Sequence, residues 1–201
     1  MSNKLPSTSK NVIFKKITCH SLTADRWYDF EKLFGEKGAC GGCWCMYWRL
    51  RRKDFEAGKG LSNKKWMHLL VNKGYATGYL LYADKEVVGW CAIAPRTEFP
   101  VLNNSRILKP VDEELVWSIV CFYIDRKFRR MGLTEIFLNY IILACRRQGV
   151  KILEAYPVDP GNKTDYPPVF AYTGFVNAYL KAGFKEVARR SPSRPIMRYL
   201  L

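Results

Sequence analysis

The spacing of apolar residues divides the chain into short extended runs and several helical stripes. Val12 to Ile17 alternates well enough to predict a first strand, followed by a helix that Thr23 can cap and that runs to Phe34, with Trp27, Phe30 and Phe34 on one face and Gly35 behind it. A second helix is expected from about Ser62, burying Trp66, Leu69 and Leu70 before Gly74, so the Cys-, Gly- and aromatic-rich piece from Cys40 to Trp48 reads as an interhelix loop or short helical turn. Tyr79 to Ala83 and Val87 to Ala94, joined by Asp84-Lys85-Glu86, predict a hairpin, although no Asn-Gly or Asp-Gly marks its turn.

Leu115 to Ile124 is a run of β-branched and aromatic residues of the kind found in a central, doubly covered strand. From Leu133 the apolar positions Ile136, Phe137, Tyr140, Ile141 and Ala144 follow at helical spacing, with Arg146 and Arg147 in the last turn and Gly149 beyond it. Ile152 to Tyr156 then predicts a strand ended by Pro157, and this strand–helix–strand order implies a right-handed crossover between parallel neighbours. A helix around Phe175 to Ala182 and strands at Lys185 to Arg190 and Ile196 to Leu201 complete the pattern. We expect one domain from 12 to 201 behind a polar tail at 1–11.

Charge narrows the function. Lys and Arg number 33 against 18 Asp and Glu, a formal net charge of +15, so the surrounding field attracts anions. Nucleic acid is one such partner, a phosphorylated cofactor another. Zinc-finger, helix-turn-helix and RNA-recognition signatures are missing and the basic residues are dispersed, which counts against a nucleic-acid module. No apolar run approaches the roughly 20 residues of a membrane span. Seven cysteines, an odd number, suit free thiols in a reducing, cytoplasmic compartment better than a disulfide framework.

At the junction of the strongest strand and strongest helix, Arg126, Lys127, Arg129 and Arg130 precede the first helical turn, and Gly132 offers backbone without a Cβ. Free N–H groups, a helix dipole and clustered cations make such a junction a polyphosphate site, with a solvated basic turn as the competing assignment.

These residues carry a family resemblance. Arg129-Arg130-Met131-Gly132-Leu133-Thr134 resembles the signature of the GNAT superfamily of acyl-CoA-dependent N-acetyltransferases: Arg or Gln, two residues, Gly, one residue, Gly or Ala. Only Thr134 departs from it. Tyr179-Leu180-Lys181-Ala182-Gly183-Phe184 is similar to a second block of the family, Tyr-x-Lys-x-Gly-Phe, and Cys43 to Trp48 resembles a segment of one of its branches. The resemblance implies a mixed, mostly antiparallel α/β (α+β) sheet flanked by helices, with acetyl-CoA as co-substrate and an amine as acceptor. It implies pantetheine pairing along Phe122, Tyr123 and Ile124, pyrophosphate at Arg129, Arg130, Met131, Gly132, Leu133 and Thr134, and an acceptor bordered by Trp44, Cys45, Tyr47 and Trp48. A CoA-binding protein without catalysis fits the same blocks.

Transfer from a thioester to an amine needs a neutral nucleophile, a donor for the developing oxyanion and a proton for the leaving thiolate. Tyr179 matches the tyrosine that frequently serves as acid in the family; a core aromatic is the competing assignment. Glu154, a carboxylate in an apolar strand, is the candidate base, with pairing to Arg or Lys as the alternative. Cys40, Cys43 and Cys45 are one ligand short of a metal clasp, and Cys40-x-x-Cys43 lacks a thioredoxin-like context, so no metal site is assigned.

Overall fold

The computed structural model describes residues 14–75, 77–161, 166–167 and 171–201. Seven strands form one sheet: β1 (Ile17–Ser21), β2 (Gly78–Ala83), β3 (Glu86–Pro95), β4 (Trp117–Ile124), β5 (Ile152–Ala155), β6 (Lys185–Arg189) and β7 (Pro195–Leu200), in the order β1-β2-β3-β4-β5-β7-β6. Of these seven strands, β4 and β5 alone pair in parallel. The helices are α1 (Trp27–Phe34), α2 (Arg52–Ala57), α3 (Leu61–Asn72), α4 (Pro100–Asn103), α5 (Leu133–Arg147) and α6 (Val176–Lys181). One sheet face packs on α5 and α6 through Leu81, Ile93, Ile119, Phe137, Ile141 and Leu153; the other packs on α1 to α4 through Leu80, Trp90, Phe30, Phe55, Met67 and Leu102. Among the described residues no helix is long and apolar enough to cross a membrane.

Three expectations move. The first strand begins at Ile17 rather than Val12, because its register against β2 runs from Ile17 opposite Ala83 to Ser21 opposite Tyr79; Val12, Ile13 and the tail 1–11 lie outside the described residues. Thr23 makes no side-chain cap to the helix backbone, and its hydroxyl instead accepts from Arg26, so a single 3-10 turn precedes α1. In α3 the inward stripe is Asn63, Met67 and Val71, while Trp66 is 51% exposed and Leu69 41%. The helix turns this way because the Asn63 amide, though polar, donates to the carbonyls of Gly42 and Phe55 and so satisfies two backbone groups beneath it. The hairpin forms on a two-residue turn, with Asp84 and Lys85 both left-handed at φ 49° and 75°, the backbone that matches strand twist.

Candidate active site

The site grows from an irregularity in β4. Ala92 of β3 faces Cys121 and Ile93 faces Ile119, so Val120 is an extra residue, a bulge that bends β4. Pairing with β5 stops at Ile119 opposite Ala155, while β4 continues to Ile124. The two parallel strands splay from there, and among the described residues the ladder groups of Val120 to Ile124 on that side have no strand partner. One is taken by a loop: the Phe122 N–H donates to the Tyr172 carbonyl at 2.5 Å. Tyr179 of α6 reaches the same segment, its hydroxyl donating to the Thr173 carbonyl at 2.9 Å. Arg194 fixes the segment from outside through Thr173 Oγ1 at 2.7 Å. Tyr172-Thr173 thus bridges the notch, and no local sequence signal marks that pair.

Beyond Ile124 the chain turns into α5. Arg129 ties this turn to the strand, its Nε donating to the Ile124 carbonyl at 2.9 Å and its guanidinium lying over Tyr123. Arg130 is left-handed at φ 64° without being glycine, a backbone state that a non-glycine residue holds only at some cost. Gly132 follows at φ 72°, and no atom lies within 4 Å of where its Cβ would stand. No side chain caps α5, so its first N–H groups keep their hydrogen-bonding capacity, with Arg126, Lys127, Arg129 and Arg130 on or around the turn. Leu133 is buried and anchors the helix start; Met131 and Thr134 are half-buried. The residue types, the open approach at Gly132 and the uncapped helix end fit a pyrophosphate.

Tyr179 is fully buried, against Phe122 and Phe184, and burial pushes its hydroxyl well above the ordinary tyrosine range, so it holds its proton. Glu154 is 1% exposed and heavily engaged. Its Oε1 accepts from Arg96 at 3.1 Å and from the Tyr156 hydroxyl at 2.6 Å, and its Oε2 accepts from Arg198 Nε at 2.8 Å. Ser118 joins at 2.8 Å from the Tyr156 hydroxyl, and Arg198 also grips Asp112 with both terminal nitrogens. Glu154 is thus paired with two guanidinium groups, the arrangement of the pairing alternative.

Of the residues expected at the acceptor, Trp44 and Cys45 are absorbed by the core: Trp44 stacks on Phe34 and carries the Lys64 ammonium on its ring, and the Cys45 sulfur accepts from Trp90 Nε1 at 3.1 Å. Trp48 is buried, and its indole nitrogen has no hydrogen-bond partner among the described residues. Tyr47 reaches solvent, edge-on to Trp48 and to Tyr172 at the notch. A groove of about 800 Å³ between Lys16, Arg26, Tyr82 and Lys85 lies along β1 and β2, remote from the notch in strand order. Among the described residues no group of three or more His, Cys, Asp or Glu side chains is placed to hold a metal ion.

Comparison with known proteins bears on this site. A model of the acetyltransferase (GNAT) family matches residues 43–166. No curated protein sequence matches the chain. Among solved structures, a GNAT-family acetyltransferase from Streptococcus agalactiae is 12% identical with a TM-score of 0.55, covering 95% of this chain and 99% of its own. The PaiA N-acetyltransferase from Thermoplasma acidophilum, solved in complex with coenzyme A, is 12% identical with a TM-score of 0.50, over 92% of this chain and 99% of its own. The ribosomal-protein-S5-alanine acetyltransferase from Vibrio fischeri is 11% identical with a TM-score of 0.52, over 94% of each chain. At these identities the likeness is one of fold.

Proposed function

The chain belongs to the acetyltransferase (GNAT) family, and from that premise we propose that it moves an acetyl group from acetyl-CoA to a primary amine by direct transfer within a ternary complex. The observation that carries the reading is the conjunction of the β4–β5 splay with the uncapped, cation-rich start of α5 on the same strand's end. Acetyl-CoA supplies an activated thioester. Gly132, Leu133 and Thr134 bind its pyrophosphate through backbone N–H groups, with Arg129 and Arg130 adding charge. The edge of β4 at Phe122 to Ile124 pairs with the pantetheine arm.

The chain's remaining roles follow from what the notch holds. The Phe122 N–H and the Tyr179 hydroxyl are two donors spent on adjacent carbonyls, those of Tyr172 and Thr173. Moving that segment aside releases the N–H toward the thioester oxygen, where negative charge builds, and the hydroxyl toward the departing sulfur. Tyr179 is thereby the proposed acid. Glu154 positions Arg96 and Arg198 rather than taking a proton, and the amine attacks in its neutral form. Tyr47 lies on the acceptor side, where an aromatic edge can meet an ammonium or an apolar chain; Trp44, Cys45 and Trp48 build the wall behind it.

The test is a panel of primary amines, including polyamines, amino acids, aminoglycosides and peptides, incubated with acetyl-CoA while free thiol is followed. Amine-dependent thiol release with an acetylated product is expected. A folded protein that releases thiol with no amine in the panel, and that fails to bind CoA, refutes the assignment.

A further inference from the structure

Part of this chain already lies in the splay between β4 and β5. The Asp125 N–H donates to the Val88 carbonyl, so by antiparallel alternation the ladder groups of Cys121 and Tyr123 face β3, while those of Phe122 and Ile124 point away from it, into the splay. Beyond the end of β5 the chain continues to Val158. Its N–H donates to the Gly174 carbonyl at 2.8 Å and its carbonyl accepts from Val176 at 2.9 Å, a parallel bridge to Phe175. Two residues before Gly174, the Tyr172 carbonyl accepts from the Phe122 N–H at 2.5 Å. Residues 172–175 are therefore hydrogen-bonded to β4 on one side and to the extension of β5 on the other, as a wedge between the two strands.

The wedge is packed and latched. The Gly174 N–H closes a turn on the Ala171 carbonyl at 2.9 Å, with Gly174 left-handed at φ 79°, and a Cβ at that position would stand 3.1 Å from the Tyr179 ring. Thr173 is fully buried, its carbonyl accepting from Tyr179 and its Oγ1 from Arg194 at 2.7 Å. Arg194, just before β7, also donates to the Tyr156 carbonyl at 3.3 Å and lays its guanidinium over the Tyr172 ring, whose edge meets Tyr47. One arginine thus ties the wedge to the end of β5 through both Tyr172 and Thr173.

We propose that residues 172–175 are an autoinhibitory wedge, a built-in competitor of acetyl-CoA whose Tyr172 carbonyl takes the place of the thioester carbonyl on the Phe122 N–H. This rests on the acetyl-transfer reading, which assigns that N–H to the thioester oxygen. The protein then exchanges between a closed form, in which the wedge and the pantetheine arm claim the same edge of β4, and an open form that binds. Apparent affinity for acetyl-CoA is lowered by the fraction that is open. A loss of contacts in the wedge therefore tightens binding, the opposite sign from a loss of contacts to the ligand.

The test is amide hydrogen exchange of the full chain, followed by mass spectrometry, with and without acetyl-CoA. The expected result is slower exchange in peptides over 129–136, where the ligand's phosphates sit, and faster exchange at Val158, Gly174 and Val176, whose N–H groups hold the wedge in place. Calorimetric titration with acetyl-CoA then compares two variants that weaken the wedge by different means. Thr173→Val keeps the side chain's shape and deletes the acceptor for Arg194; Gly174→Ala strains the left-handed turn against Tyr179. Each is expected to bind acetyl-CoA more tightly than the parent, on the order of 5-fold. Slower exchange at 129–136 with Val158, Gly174 and Val176 unchanged or better protected overturns the wedge and leaves acetyl-CoA binding standing. Folded variants that bind no more tightly than the parent overturn it as well. Exchange unaltered at 129–136 removes the acetyl-CoA reading and the wedge with it; the measurement on the parent needs neither variant.

Discussion

Tyr179→Phe separates chemistry from packing at the notch. The substitution keeps the ring against Phe122, Phe184 and the Cα of Gly174, and deletes only the hydroxyl that donates to the Thr173 carbonyl at 2.9 Å. Thr173 is fully buried, so its carbonyl loses a partner that water does not readily replace, a cost of about 1–2 kcal/mol. For a chain of this size that lowers the melting temperature by about 2–8 °C. Truncation to Ala removes the ring as well, at about 4 kcal/mol. On activity, an acid that acts only in the transition state leaves acetyl-CoA affinity intact and contributes on the order of 100-fold or more to kcat. Thermal unfolding of Tyr179→Phe, paired with single-turnover rates on an identified amine, reads both effects. A variant as stable and as fast as the parent refutes the reasoning, and one that is less stable but equally fast leaves Tyr179 a packing residue.

The other expectations concern charge and titration. Glu154→Gln leaves Arg96 and Arg198 facing each other across a neutral amide at a site where Glu154 is 1% exposed, so it destabilises by about 3 kcal/mol; urea denaturation checks this, and a large loss of kcat with stability unchanged would instead make Glu154 a base. Burial raises Cys43 to about 11 and Cys19 and Cys145 to about 12. Groups whose folded values lie above their unfolded ones support the fold fully below the unfolded thiol value near 9 and lose that support as pH rises toward 11–12. Unfolding free energy therefore declines from about pH 9, by on the order of 1.4 kcal/mol per pH unit for each thiol, the melting temperature falls with it, and a flat profile to pH 11 contradicts the burial of these thiols.

The parts of the fold legible in sequence are those where one physical signal dominates. β4 is a continuous β-branched and aromatic run, and α5 has both an unbroken 3.6-residue stripe and a Gly at each end, so both were bounded to within two residues. The cation-rich turn stood out because charge, Gly132 and a helix start coincide in eight residues of sequence. The α3 face was not legible, because hydrophobicity favours Trp66 and Leu69 whereas the structure buries Asn63 for its amide bonds to Gly42 and Phe55. Glu154 was visible as an odd carboxylate, but Arg96 and Arg198 lie 58 and 44 positions away and only the sheet brings them together. Tyr172 has the same history: its carbonyl meets the Phe122 N–H through tertiary structure, with no local pattern to announce it.

The central claim is that acetyl-CoA binds at the start of α5 beside the splayed strands. Thermal unfolding with and without acetyl-CoA, for the parent and for Gly132→Asp, tests it most directly. The variant has room for its side chain, since nothing lies within 4 Å of the new Cβ, and Asp holds a left-handed backbone at less cost than most residues, so a modest loss of stability is expected; it sets a carboxylate against the phosphates. At a ligand concentration about 100 times Kd the parent gains about 2.7 kcal/mol, a rise of about 5–10 °C, and Gly132→Asp gains little of it. No rise in the folded parent, or an equal rise in the variant, contradicts the account.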